Sequence, residues 1–471
     1  MMLFLPELTL LGAGLVLFTF SLGKPSSARM RVVALTLAAI ILVASLLGLN
    51  SRGTMFFNAY QVTFFSQLFK ALIGAATLII LAFCENHPSI PERKQPEYYL
   101  FMFMSVLGLM MLVSSVEFIA IFIALELSSF AVYIMVPMRG TTDHEEYQNE
   151  AGIKYLLYGV VATGFMLFGM SYLFGLTGST QLDVIASQLS QLGNQPVAIV
   201  GIALVLAGFF YKLALFPFHF WVPDVYKGAA NETTAFIAVV PKLAAVAVLI
   251  RLTSFIGADN GTIVDVLMVC AVSSMFYGNL SALVQKDVKR LLGFSGIAHA
   301  GFVLVGLLTF QIESFATAAY YITGYLFMNL ACFLVICCVA ENGRNVTIDD
   351  FTGLHKRAPI LAITLTVGLF ALAGIPPFVG FTGKFMLLLG ALKQGHLPLV
   401  VLAAFNTAIA IYYYLSIVRV TFCTDSKDRS NIASGFMINS LAVLLILVIV
   451  MMGVIPSTFI NIATRAIKTI M

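Results

Sequence analysis

The stretch Ile119-Ala-Ile-Phe-Ile-Ala-Leu-Glu126-Leu-Ser-Ser-Phe-Ala-Val-Tyr-Ile-Met-Val136 decides how the chain is read. At the helical rise of ~1.5 Å per residue, a run of this length reaches across most of a hydrocarbon core. Its single charge, Glu126, stands near the middle. A soluble core helix of this length would show one polar face, and this run shows none.

The same kind of run recurs throughout. About fourteen spans of bilayer length are expected, near 3–22, 32–49, 60–84, 98–113, 116–137, 152–176, 197–221, 233–255, 263–284, 290–310, 314–340, 359–391, 397–422 and 434–456. The composition agrees, with 60% hydrophobic and 10% charged residues and a mean hydropathy of +0.98. So few charges cannot clothe a water-soluble globule of 471 residues. A soluble enzyme, a nucleic-acid-binding protein and a disordered regulator are excluded. The expected fold class is an all-α, polytopic membrane protein. The first run lacks a basic flank and a clear cleavage site, so it is expected to be a span rather than a leader.

Cys84, Cys270, Cys332, Cys337, Cys338 and Cys423 form no C-x-x-C pair. Iron–sulfur, structural zinc and disulfide frameworks are therefore poorly supported. His87, His144, His355 and His396 lie in loops and are given no role.

Two spans carry breakers. Span 7 contains Pro217, and span 12 is too long for one crossing and contains Pro376-Pro377. Both read as broken helices, because proline removes a backbone donor and frees a carbonyl. Ala214-Leu-Phe-Pro-Phe218 resembles Gly374-Ile-Pro-Pro-Phe378, and each has a lysine nearby, Lys212 and Lys384. The two spans would cross in opposite directions, which suggests inverted repeats.

Loops after odd-numbered spans hold sixteen Lys and Arg residues, Lys24, Lys427 and Arg429 among them. Those after even-numbered spans, with the C-terminus, hold five: Arg52, Arg251, Lys393, Arg465 and Lys468. This bias places both termini on the outer side.

The ionisable residues inside the spans carry the chemistry. Glu126, Lys212, Lys242 and Lys384 would each cost roughly 2.5–3.5 kcal/mol at a helix centre. Together they approach the whole stability of a domain, roughly 10 kcal/mol, so an accidental set is improbable. Mutual pairing that locks helices together is one reading, and a proton path is the favoured one. Burial works against both charged forms, bringing ammonium and carboxylate within reach of proton exchange. His219 and His299 are natural shuttles beside them, and Lys154 stands near the start of span 6. Lys70 is expected to snorkel from the outer end of span 3. Gly380-Phe-Thr-Gly-Lys384 echoes a phosphate loop but lacks its full spacing.

Taken together, these segments resemble the subunit N family of respiratory complex I, the proton-pumping NADH–quinone oxidoreductase. The resemblance covers roughly residues 95–425. It rests on Lys154-Tyr-Leu-Leu-Tyr-Gly159, on Gly175-Leu-Thr-Gly-Ser-Thr180 and on Tyr211-Lys-Leu-Ala-Leu-Phe-Pro-Phe-His-Phe-Trp-Val-Pro-Asp-Val-Tyr-Lys-Gly228. Pro241-Lys242, Gln285–Leu292, Ser295-Gly-Ile-Ala-His-Ala-Gly301 and Ala373–Phe385 complete it. The resemblance implies fourteen helices with two five-helix inverted repeats. It divides the chain into helices 1–3 (1–95), a first repeat (96–255), a second repeat (256–424) and helix 14 (425–471).

Carried over residue by residue, the resemblance implies a proton relay. Lys212 is its loading site with Glu126 as modulator, Lys242 its central group and Lys384 its link outward. Lys154, His219 and His299 are accessory positions. It implies no cofactor in this subunit; flavin, iron–sulfur clusters and quinone belong to other subunits. The expected partners are the other membrane-arm subunits and the lipid bilayer, with no nucleic acid and no function as an isolated monomer. A bacterial plasma membrane is the expected location. A subunit of a multisubunit Na+/H+ antiporter is the alternative. One departure stands out: the family usually follows Tyr-x-Gly-Ala, here Tyr226-Lys-Gly-Ala229, with Pro-Thr, and Ala230-Asn-Glu232 stands instead. Glu232 is read as an exposed loop charge rather than a proton-entry group.

Overall fold

A computed structural model describes residues 2–23, 26–83, 89–140, 145–192, 195–256, 261–423, 431–432 and 435–471. Lys24, Cys84, His87, His144, Lys427 and Arg429 lie outside the described residues. The chain opens with α1 (Leu5–Ser21) and α2 (Ser27–Leu47). A short antiparallel hairpin follows, β1 (Gly53–Met55) on β2 (Tyr60–Val62), with Gly53 opposite Val62. Next come α3 (Phe64–Phe83), α4 (Gln95–Ser114), α5 (Phe118–Met135), α6 (Glu145–Thr177), α7 (Leu182–Leu192), α8 (Pro196–Leu213), α9 (Val222–Gly228) and α10 (Asn231–Ile256). The second half holds α11 (Gly261–Leu283), α12 (Val288–Leu307), α13 (Ile312–Val339), α14 (Leu354–Arg357), α15 (Pro359–Ala373), α16 (Val379–Lys393), α17 (Leu397–Cys423), α18 (Phe436–Val454) and α19 (Pro456–Ile467).

Among the described residues, 13 helices are long and apolar enough to cross a membrane, and Pro359–Ala373 is a shorter apolar one. The stretch expected as span 12 is two helices of 15 residues each, α15 and α16. The hairpin, α7 and α19 have no counterpart in the sequence reading. Their segments are too short, or too polar, to register as spans.

Local chemistry sets the ends. Glu117 caps α5 by accepting from the Ala120 amide at 2.8 Å, and Asp287 caps α12 through the Arg290 amide at 2.9 Å. α8 ends against Ala214, a left-handed residue at φ 62°, and α15 ends against Gly374 at φ 86°. Glycine takes that conformation without steric penalty, and Pro217 and Pro376-Pro377 then forbid continuation. Pro241 sits inside α10, where it leaves the Ile237 carbonyl without its usual donor.

Burial follows a gradient from rim to centre. The most apolar windows of α1 and α2 are each 33% buried and that of α18 is 28%, whereas α10 is 100% and α12 is 94% buried. The bundle is thus two-shelled, with α10 and α12 surrounded by protein. Gly108 permits close approach of α4 to α5. A Cβ there would stand 2.6 Å from the Ser128 amide nitrogen and 2.8 Å from the Ala124 carbonyl, beside Glu126. Both chain ends lie at the same end of the bundle. There the Phe65 amide donates to Thr469 Oγ1 at 3.3 Å, and the Phe4 and Tyr60 rings are 5.5 Å apart.

Candidate functional site

Lys212 occupies the last turn of α8, just before the left-handed Ala214. It is 2% exposed, and its Nζ has no hydrogen-bond partner among the described residues. Glu126, at the midpoint of α5, is the acidic group whose charge acts on it. Glu126 Oε1 is buried without a hydrogen-bond partner among the described residues. The two groups therefore sense one another without closing an ion pair. A charge so placed can be stabilised or released by small movements.

Aromatic side chains wall this half of the site. Tyr211 OH donates to the Tyr155 carbonyl at 2.7 Å, and Trp221 Nε1 donates to the Tyr211 carbonyl at 3.2 Å. The indole is thus a second donor to a carbonyl that already accepts from the Ala214 amide at 3.0 Å. Tyr226 on α9 has its ring 6.3 Å from that of Trp221 and packs against Gly293 of α12, so it stands between this half of the site and the next.

Lys242 lies on α10, 1% exposed and again without a partner at Nζ among the described residues. Its ammonium is 5.6 Å from the Tyr325 ring centroid. Gly296 of α12 makes the room: a Cβ there would be 2.9 Å from Lys242 Nζ and 2.7 Å from Tyr325 OH. One turn along α12, His299 bonds Tyr321 OH through Nδ1 at 2.6 Å and Tyr414 OH through Nε2 at 3.2 Å. Tyr414 OH donates onward to Ser295 Oγ at 2.7 Å. His299 interacts with the charges of both Lys242 and Lys384, placing it between them.

Lys384 has what the other two lysines lack. Its Nζ donates to the Leu372 carbonyl at 2.9 Å and the Ala373 carbonyl at 3.3 Å. These are freed carbonyls at the C-terminus of α15, the end that favours a cation. Phe302 lies 5.1 Å beneath the ammonium. The stretch that echoed a phosphate loop is helical here, inside α16.

Two accessory residues stand apart. Lys154 is 35% exposed and pairs with Glu150 and Asp224, each at 2.6 Å. His219 is 1% exposed, packed against Phe216, Phe220 and Tyr277, with neither ring nitrogen hydrogen-bonded among the described residues.

Three readings need correction. Lys70 does not snorkel. It is fully buried against Glu7 at 2.8 Å, because the partner comes from a distant helix. Arg251 is not a loop residue but lies inside α10, 2% exposed. Glu232 is not an exposed loop charge. It is 1% exposed in the first turn of α10 and interacts with Arg139 and Lys289. The tyrosines packed around the lysines and His299 were also missed, since a tyrosine in an apolar run carries no signal of its own.

The fold and these buried cations define a class, the antiporter-like membrane subunits. Residues 115–410 match the family described as NADH:quinone oxidoreductase/Mrp antiporter, TM. The chain belongs to this family. Within it, the chain is 50% identical to NADH-quinone oxidoreductase subunit N 2 of Opitutus terrae, over 99% of this chain and 98% of that protein. A chain of respiratory complex I from Thermus thermophilus superposes with a TM-score of 0.84 at 27% identity, covering 98% of this chain and 100% of that one. A chain of the Mrp complex from a Dietzia species superposes with a TM-score of 0.85 at 18% identity, covering 100% and 97%. At that identity the likeness is one of fold.

Proposed function

We propose that this chain is the subunit N component of a complex I-type NADH–quinone oxidoreductase, a membrane-arm subunit that moves protons. Lys212 loads the proton under the influence of Glu126. Lys242 and His299 carry it along the centre, and Lys384 passes it outward or to a neighbouring subunit. Lys154 and His219 serve as accessory groups. Electron transfer, with its flavin, iron–sulfur clusters and quinone, belongs to other subunits of the complex. The single observation that carries this reading is the set of three buried lysines inside an enclosed core, with Tyr325 and His299 packed between Lys242 and Lys384. Two of those ammoniums have no fixed partner among the described residues, which suits groups that exchange protons better than groups that lock helices.

The repeat boundaries 96–255 and 256–424 belong to the same proposal. It is supported by α8 and α15, each ending at a left-handed residue followed by a proline turn, with Lys212 and Lys384 beside the two ends. The protein would sit in a bacterial plasma membrane with both termini outward, in keeping with the distribution of loop cations.

Moving one charge against 100 mV takes ~2.3 kcal/mol, so the relay must be driven by redox chemistry elsewhere. In proteoliposomes holding the whole complex, Lys212→Ala should cut quinone-coupled proton pumping at least several-fold while the subunit still assembles. Wild-type pumping by that assembled variant would overturn the assignment. The fold shared with the Mrp chain favours one rival, a Na+/H+ antiporter subunit. Sodium-driven proton exchange by a native complex lacking redox subunits would establish that rival instead.

A further inference from the structure

Away from the lysine row, a second set of charges is buried where α1, α3, α4 and α10 meet near the chain termini. Glu7 and Lys70 are both 0% exposed and paired at 2.8 Å. Tyr60 of β2 closes the group. Its hydroxyl donates to Glu7 Oε1 at 2.6 Å and accepts from Lys70 Nζ at 3.0 Å. Arg251 of α10 donates through Nη1 to the Ser115 carbonyl at 3.1 Å, and its charge acts on both Tyr60 and Lys70.

The charges do not balance. Fully ionised, the group holds two cations and one anion. Arginine keeps its proton in proteins, so Arg251 alone already offsets Glu7. The proton on Lys70 is the surplus, and a buried surplus charge is costly. The hydrogen bonding is also open. Among the described residues, Glu7 Oε2, Arg251 Nη2 and both amide atoms of Gln67 are buried without a partner. Internal water commonly meets such atoms. Of the other charged groups at this end, Arg52, Glu313 and Arg465 are exposed, and Glu117, 8% exposed, faces the N-terminus of α5, where it accepts from the Ala120 amide.

We propose that Glu7, Tyr60, Lys70 and Arg251 form a further proton-holding site, which releases one proton toward the compartment on the side of the chain termini. The proton leaves Lys70 Nζ for water. The remaining amine still donates to Tyr60 OH, and the group is left neutral, with the Glu7 carboxylate and the Arg251 guanidinium as its two charges. This proposal rests on the reading of the chain as a proton-moving subunit. The rival explanation is an ion pair that only fastens the first three helices to α10.

Two variants separate the two explanations. Lys70→Arg keeps the ion pair but holds its proton permanently, and Lys70→Met leaves the neutral Glu7–Arg251 combination. Each is placed in the whole complex, reconstituted in proteoliposomes, and assayed for pumping as the pH on the terminus side is lowered. The wild-type rate should fall several-fold as protons accumulate there, and both variants should flatten that dependence at least two-fold. If Lys70→Met fails to assemble, a flattened profile in Lys70→Arg still supports the site. A wild-type profile in assembled Lys70→Arg overturns it, as does failure of both variants to assemble. Lys212→Ala runs alongside. Undiminished pumping there would defeat the lysine-row reading, whatever the Lys70 profiles show.

Discussion

At the scale of single residues, what matters is how much room each ammonium has. Lys242 depends on the missing side chain of Gly296. Gly296→Ala should leave the helix intact, since alanine favours helix over glycine. Its methyl would push both the ammonium and Tyr325 OH from their positions. Pumping by the assembled complex should fall several-fold with little change in thermal stability, and an unchanged rate would show that Lys242 has space to spare. Glu126, Lys212, Lys242, Lys384 and His299 were all legible in the sequence, because an ionisable group in an apolar run is anomalous in one dimension. Lys70 and Glu232 were misread for the opposite reason. Each stands near the end of its apolar run, where exposure is the ordinary expectation. Only the folded chain brings Glu7 to the one and Arg139 and Lys289 to the other.

Among the elements, the interruption between α15 and α16 positions Lys384. Two short helices replace one long crossing, and the ammonium caps the first of them. Gly374 makes the turn at φ 86°, and Lys384 Cδ would stand 3.2 Å from any Cβ placed there. Gly374→Val should therefore destabilise by about 1–2 kcal/mol from backbone strain alone. It should also disturb Lys384, so a lowered melting temperature of the purified complex should accompany reduced pumping. A loss of stability with normal pumping would detach the turn from the relay. The prolines marked in the sequence where α8 and α15 stop. The hairpin, α7 and α19 were not visible, because segments shorter than a bilayer crossing leave no hydropathy signature. The cap that Lys384 supplies was equally hidden, since it needs the chain to double back at a defined angle.

For the molecule as a whole, composition and apolar length were enough to read a helical membrane bundle. Which helices occupy the centre could not be read that way. α10 and α18 are both strongly apolar, yet the one is wholly enclosed and only 28% of the other is buried. Hydropathy reports solubility in an apolar medium and does not distinguish protein from lipid as that medium.

The enclosure of α10 and α12 has a consequence for how this protein lives with its bilayer. Lys242 and His299 are screened from acyl chains by a full shell of other helices. Changing lipid chain length or headgroup should alter how the rim helices tilt and how subunits associate. The rate per assembled complex, and its kinetic isotope effect in deuterated buffer, should stay the same across thin and thick bilayers. A rate that followed bilayer thickness would mean that the outer shell transmits strain to the core.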